Sequence, residues 1–166
     1  INGKLRDLNF EINEDCNIEL LTGDNPEGHS VLLHSAAHLL AQAVKHYWPS
    51  AKLTIGPAID NRFYYDFDLD TTFSDEDLAK LESRMMQLSK KNFPCVRCEL
   101  TRSEAYNKFK EMGEDYKLEI LNDIKDDELI TSYTQGDFID LCRGPHVPST
   151  GSIKYFKLLN TSGAYW

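Results

Sequence analysis

The sequence predicts an α+β fold, mostly antiparallel sheet packed with helices. Three observations carry this. Residues 30–47 contain no Gly or Pro, are rich in Leu and Ala, and read as one long helix. Helical and strand patterns interleave along the rest of the chain. The links between successive strand segments are short, which favours antiparallel pairing over a doubly wound parallel sheet.

Taken in order, the first 22 residues read as short strands: Lys4-Leu-Arg-Asp-Leu alternates, residues 9–12 form a second run and Ile18-Glu-Leu-Leu-Thr a third. They are too few to bury a core, so they are expected to be the tail of a preceding domain. Gly23-Asp-Asn-Pro-Glu-Gly28 is a dense breaker cluster and the expected boundary. The long helix follows, with Ser30 as its expected N-cap and Pro49 just past its end. Lys52-Leu-Thr-Ile-Gly-Pro-Ala-Ile and Arg62-Phe-Tyr-Tyr-Asp-Phe-Asp are two strands joined by an Asp60-Asn61 turn. Ser74-Asp-Glu-Asp starts a helix with Leu78, Leu81, Met85 and Leu88 at helical spacing, Met85 and Met86 as core filling. Residues 93–100 form a strand, Thr101-Arg-Ser-Glu opens a helix with a capping-box pattern, and residues 116–122 are a further helix. Residues 129–135 and 136–142 read as a strand pair, and residues 153–159 as a last strand.

A length of 166 residues, 41% of them hydrophobic, is that of a soluble globular domain, and no apolar run is long enough to cross a bilayer. The chain opens on Ile1 rather than Met and lacks the apolar core of a signal peptide, so it reads as a piece of something longer. A net charge of −9 argues against gripping nucleic acid through its own electrostatics, although such a domain can act on the end of a nucleic acid held elsewhere. Four cysteines in a chain of this length point to a reduced, intracellular setting. Cys95-Val-Arg-Cys98 stands in an alternating strand pattern and is expected to be filler, not a redox or zinc pair.

Two segments carry the chemistry. His34-Ser-Ala-Ala-His38 puts two imidazoles on one helical face, one turn apart. Cys142-Arg-Gly-Pro-His146 puts a thiol and an imidazole across a Gly-Pro turn. The spacing admits three readings: a zinc site, water activation by imidazole without metal, or a cysteine nucleophile.

Four stretches in order then make the pattern specific. They are His34–His38 with Leu39-Leu-Ala-Gln-Ala, Ile55-Gly-Pro-Ala-Ile, Phe63-Tyr-Tyr-Asp-Phe and Asp140-Leu-Cys-Arg-Gly-Pro-His. Together they resemble the amino-terminal editing domain of bacterial-type and eukaryotic threonyl-tRNA synthetases, related to the editing module of alanyl-tRNA synthetase. The resemblance covers residues 23–166. Residues 1–22 resemble the end of the TGS (β-grasp) domain that precedes it, and Gly163-Ala-Tyr-Trp166 stands about where a linker to the aminoacylation core would begin.

This resemblance implies hydrolysis of the ester in mischarged seryl-tRNA(Thr). The editing residues it implies are His34, His38, Lys117, Asp140, Cys142 and His146, with Tyr65 as a pocket-wall aromatic and Arg143 as a substrate contact. The implied roles are water activation by His34, a hydrogen-bond ring from His38 and His146, and orientation of water or the carbonyl by Cys142. Lys117 would meet the terminal adenosine or developing negative charge, and Asp140 the seryl ammonium. Without the resemblance, Lys117 reads as a surface helix lysine and Tyr65 as a half-buried strand residue. No cofactor is implied in this fragment; ATP and zinc belong to an aminoacylation domain. The alanyl relatives, however, hold zinc through the corresponding pairs, so a zinc ion at His34, His38, Cys142 and His146, either in an alanyl-type deacylase or in a structural module, is the alternative. The implied partners are the serine-bearing acceptor end of tRNA(Thr) and the remaining synthetase domains, in a cytoplasmic enzyme that is a homodimer and touches no membrane.

Overall fold

The computed structural model describes residues 1–163, so Ala164–Trp166, at the expected start of the linker, lie outside the described residues. Four helices and seven short strands make up the described chain: α1 (Pro26–Tyr47), β1 (Lys52–Leu53), β2 (Ala58–Ile59), β3 (Arg62–Phe63), β4 (Phe67–Asp68), α2 (Asp75–Lys91), β5 (Val96–Leu100), α3 (Arg102–Glu111), α4 (Asp115–Asp123), β6 (Ile130–Gln135) and β7 (Phe138–Leu141). Each described strand pair is antiparallel: β1 with β4, β2 with β3, and the three-stranded sheet β5-β6-β7. The α+β class expected from the sequence is the one observed. No described helix is long and apolar enough to cross a membrane.

Ten successive residues of α1, Ser35 to Val44, are buried, so this helix is enclosed on all sides and not merely amphipathic. Its Ala36, Ala37, Ala41 and Ala43 let neighbours approach closely, and Leu53, Leu81, Met85, Leu88, Phe138 and Ile153 close the main core around it. A second core of Ala105, Phe109, Leu121 and Ile130, with Leu100 and Leu141 packed against it, joins α3 and α4 to the sheet. The side-chain period of two therefore splits β6 and β7: Ile130 and Leu141 face the second core, whereas Tyr133, Phe138 and Asp140 face α1 and the site. The expected capping box forms at Thr101 with Glu104 on α3, and Ser74 makes a second one with Asp77 at the expected start of α2.

The structure corrects several expectations. Helix α1 starts at Pro26, four residues before Ser30, with Pro at the first helical position where its missing N–H costs nothing. Asn25 precedes it, but its side chain turns back to accept from Thr22 N at 2.8 Å. Among residues 1–22 there is no strand, because no neighbouring strand is available to pair; one backbone bond, Asn2 N to Asn17 O at 2.9 Å, ties its ends. Residues 153–159 are likewise unpaired, held to α2 through Leu158 N and Lys157 Nζ on Glu82. The strands expected over residues 52–59 and 62–68 shrink to two-residue pieces either side of Gly56-Pro57, although the turn at Asp60-Asn61 forms with Asp60 at φ 53°. Cys95 is buried and Cys98 exposed on opposite faces of the β5 region, which fits the filler reading.

Candidate active site

Helix α1 supplies His34, Ser35 and His38. Strand β7 supplies Asp140 and runs directly into Cys142, the cis Gly144-Pro145 turn and His146. The two segments meet, bringing the expected thiol and three imidazoles together with ligating atoms within 4.8 Å of one another. Ring centroids lie 5.0 Å apart for His34 and His38, 4.6 Å for His34 and His146, and 4.2 Å for His38 and His146.

Hydrogen bonds fix which nitrogen faces the centre. His34 Nδ1 is 2.9 Å from Gly56 O, which can only accept, so Nδ1 carries the proton. Ser35 Oγ donates to Val31 O at 2.8 Å, so its contact with His146 Nδ1 at 2.9 Å is donated by the imidazole. Both Nε2 atoms then turn lone pairs to Cys142 Sγ, at 2.9 Å from His34 and 3.2 Å from His146. One thiol proton serves only one of them. The other Nε2 is an acceptor placed to receive a water proton or a cation.

Behind this cluster lies a buried polar triad. Lys117, on α4, is 2% exposed; its Nζ donates to Thr54 O at 2.5 Å and Tyr65 Oη at 3.1 Å and forms an ion pair with Asp140 Oδ1 at 2.7 Å. Tyr65 in turn donates to Asp140 Oδ2, which stands 3.6 Å from His38 Nε2. Lys117 is thus no surface lysine, and Tyr65, at 7% exposure, is buried rather than half-buried. Lys117 and Asp140 are directed to each other and to Tyr65. Gly56 permits this packing: a Cβ there would overlap the Tyr65 ring. Arg143, directly after Cys142, has its side chain 80% exposed and paired to Glu128 at 2.7 Å.

A family described as the threonyl and alanyl tRNA synthetase second additional domain matches residues 130–164, the stretch that holds β6, β7 and the thiol–imidazole turn. A threonine–tRNA ligase of Clostridium tetani is 52% identical over all 166 residues, and one of Syntrophomonas wolfei 51% identical over 165 residues, 99% of the chain. One of Coxiella burnetii is 51% identical over the whole chain. Over its whole length the chain is similar to one segment of these threonine–tRNA ligases. It spans 26% of the length of each of these relatives.

Burial sets the protonation of the site. Desolvation lowers the pKa of His34 and pushes His38 and His146 well below the usual imidazole value, with the neighbouring imidazoles adding to the shift in the latter two. The Gly56 carbonyl opposes the shift at His34. Burial raises the Cys142 thiol to about 12, so a thiolate nucleophile is disfavoured at neutral pH. Tyr65 is held protonated by burial first and by Asp140 second. His34 is only half-buried, whereas His38 and His146 are buried, so His34 is the imidazole a ligand can reach.

Sequence reasoning missed several participants. Ser35 gave one signal, a hydroxyl inside an apolar helical run, and it bonds His146 Nδ1 and Val147 N. Tyr133 packs on His146 with centroids 4.4 Å apart and donates to Asp7, whose carboxylate also accepts His146 N. Glu114, 1% exposed, joins Lys45 and Leu53 N. Nothing local in the sequence marks Asp7 or Glu114.

Proposed function

We propose that this segment hydrolyses the ester of seryl-tRNA(Thr), proofreading a threonine–tRNA ligase that attaches threonine to tRNA(Thr) with ATP. One observation carries the reading: His34 is reachable, kept neutral by burial, and oriented by Gly56 O so that its Nε2 lone pair faces the cluster. In this scheme Nε2 takes a proton from water as the oxygen attacks the ester carbonyl carbon; the bond to the ribose oxygen breaks, that oxygen takes the proton back from His34 Nε2, and serine and tRNA leave. The Cys142 thiol and the Gly144 N–H, itself 3.2 Å from Sγ, border the space where the carbonyl oxygen gains charge. His38 and His146 wall the pocket as neutral imidazoles. The buried Lys117–Asp140–Tyr65 triad fixes the wall beneath them, a positioning part in place of direct contact with adenosine or ammonium.

The need for such a site follows from size. Serine lacks one methyl of threonine, and a binding pocket rejects the smaller analogue by only about 1–3 kcal/mol. A rigid second pocket excludes threonine by clash instead. The net charge of −9 accords with the serine-bearing acceptor end entering here while other domains of a cytoplasmic, homodimeric enzyme hold the tRNA. Residues 1–22 are then the tail of a TGS domain and residues 23–166 the editing domain.

The paired Nε2 lone pairs on one sulfur favour a second reading. The donor set of three imidazoles and a thiol suits zinc, with Nδ1 of His34 and His146 already tied as outer-shell contacts require. His34, His38, Cys142 and His146 would hold the ion, which would supply Lewis-acid activation of water or, with all four ligands closed, structural support. The test is deacylation of seryl- against threonyl-tRNA(Thr) by the intact protein, with His34→Ala and Cys142→Ala beside it. Rapid loss of the seryl ester alone, abolished by His34→Ala, supports editing; equal hydrolysis of both esters refutes the sieve.

A further inference from the structure

We propose that Glu114 is a positioning residue for the editing pocket, acting through Lys117; the inference rests on the ester-hydrolysis reading of that site. Glu114 occupies the residue before α4, where a glutamate would ordinarily face solvent beside the helix N-terminus. Here it makes no capping bond with its side chain and is 1% exposed. Its carboxylate instead reaches two other elements. Oε1 accepts from Lys45 Nζ of α1 at 2.7 Å, and Oε2 accepts from Leu53 N of β1 at 2.7 Å. Lys45 Nζ is itself fixed on Ala51 O at 2.9 Å.

The residue just past β1 receives Lys117. Leu53 N binds Glu114, and the carbonyl of the following residue, Thr54, accepts Lys117 Nζ at 2.5 Å. The start of α4 is therefore fastened to two consecutive residues, Leu53 and Thr54, at two points three residues apart in sequence. A third bond closes the unit, because Glu114 O accepts Lys117 N at 3.0 Å. Lys117 has a long side chain with many rotamers, yet its ammonium is held by two fixed acceptors, Thr54 O and Tyr65 Oη, and by the Asp140 carboxylate. That requires its Cα to be held in both distance and rotation, and Glu114 is the group that holds it. A buried ion pair is weak evidence for net stability, since desolvation offsets the attraction. Fixing one arrangement of α1, β1 and α4 around the Tyr65–Asp140 wall is what this pair does.

The test uses the intact protein with Glu114→Gln, which keeps an acceptor for Leu53 N and removes the ion pair. Acetylation of Lys117 by acetic anhydride, read by mass spectrometry, reports the clamp without reference to activity. Labelling of Lys117 is expected to rise on the order of 10-fold through local opening of α4, with exposed Lys108 unchanged. Hydrolysis of seryl-tRNA(Thr) is expected to lose about 10- to 100-fold in kcat through misplacement of the wall, with KM for the tRNA held. If Glu114→Gln does not fold, Lys45→Gln loosens the same carboxylate from α1 and carries both readouts. Unchanged Lys117 labelling overturns the proposal, as does a change confined to KM. A wild-type protein that hydrolyses no seryl ester refutes the editing reading, and the labelling alone then judges the clamp.

Discussion

The Asp7 carboxylate accepts the backbone N–H of His146 at 3.0 Å and the Tyr133 hydroxyl at 2.8 Å. A residue from the unpaired amino-terminal segment thereby holds the turn that carries the thiol–imidazole pair, 139 residues away. Asp7 is half-buried while its neighbours from Asn2 to Phe10 are exposed, so the segment docks through this side chain.

Asp7→Ala should leave the His146 amide and the Tyr133 hydroxyl without their acceptor. Partial access of water limits the cost to about 1 kcal/mol, and thus a fall of about 2–4 °C in melting temperature for a chain of this size. Hydrogen exchange at the His146 amide is the direct check. Retained protection there would mean that the turn stands without Asp7.

Ion pairs at two depths should behave differently. Lys117 and Asp140 are each 2% exposed in their side chains, so Lys117→Met leaves a buried carboxylate unpaired and should cost about 3–5 kcal/mol. Arg143 and Glu128 are 80% and 38% exposed, so Arg143→Ala should cost about 0–1 kcal/mol. Urea unfolding of both variants decides this, and equal losses would contradict the burial of the triad.

The pH dependence follows from the depressed imidazoles. Below pH 6.5 the unfolded chain binds protons at His38 and His146 that the folded chain refuses, so the contribution of both groups to stability is fully present above pH 6.5 and lost as pH falls toward their folded values. The hydrolytic rate should likewise be flat from pH 7 upward and decline only below 6.5, because His34 is a base only when neutral and its pKa is lowered. Urea midpoints and single-turnover rates across pH 5–8 measure both. A rate that already falls between pH 8 and 7 would exclude His34 as the base.

The sequence exposes part of this arrangement for physical reasons. A spacing of four on a Gly-free helix fixes the relation of His34 and His38; acids after Ser74 mark where α2 begins, and a capping box at Thr101 where α3 begins. Strands of two residues, such as β1 to β4, are too short to show alternation, so the sheet around Gly56-Pro57 is invisible until it is folded. The fixers of the site work through groups without a pattern: the Gly56 carbonyl on His34, Ser35 on His146, Asp7 on the turn and Glu114 on α4. Burial of Lys117 depends on all of these partners at once, which no local window contains.

Gly56→Ala should couple packing to protonation. The added Cβ would overlap the Tyr65 ring, which is stacked on Phe67 at 4.9 Å and anchored at its hydroxyl to Asp140, so the backbone must yield instead. Overpacking of this kind costs about 1–3 kcal/mol. Moving the Gly56 carbonyl off His34 Nδ1 also removes the contact that raises that imidazole's pKa, so the pKa should fall further below the usual value. Histidine side-chain NMR through a pH titration reads the shift and the loss of the fixed Nδ1–H tautomer. Gly23→Ala, where an added Cβ meets nothing within 4 Å, is the control. A His34 pKa unmoved or raised in Gly56→Ala would show that the carbonyl does not set the base.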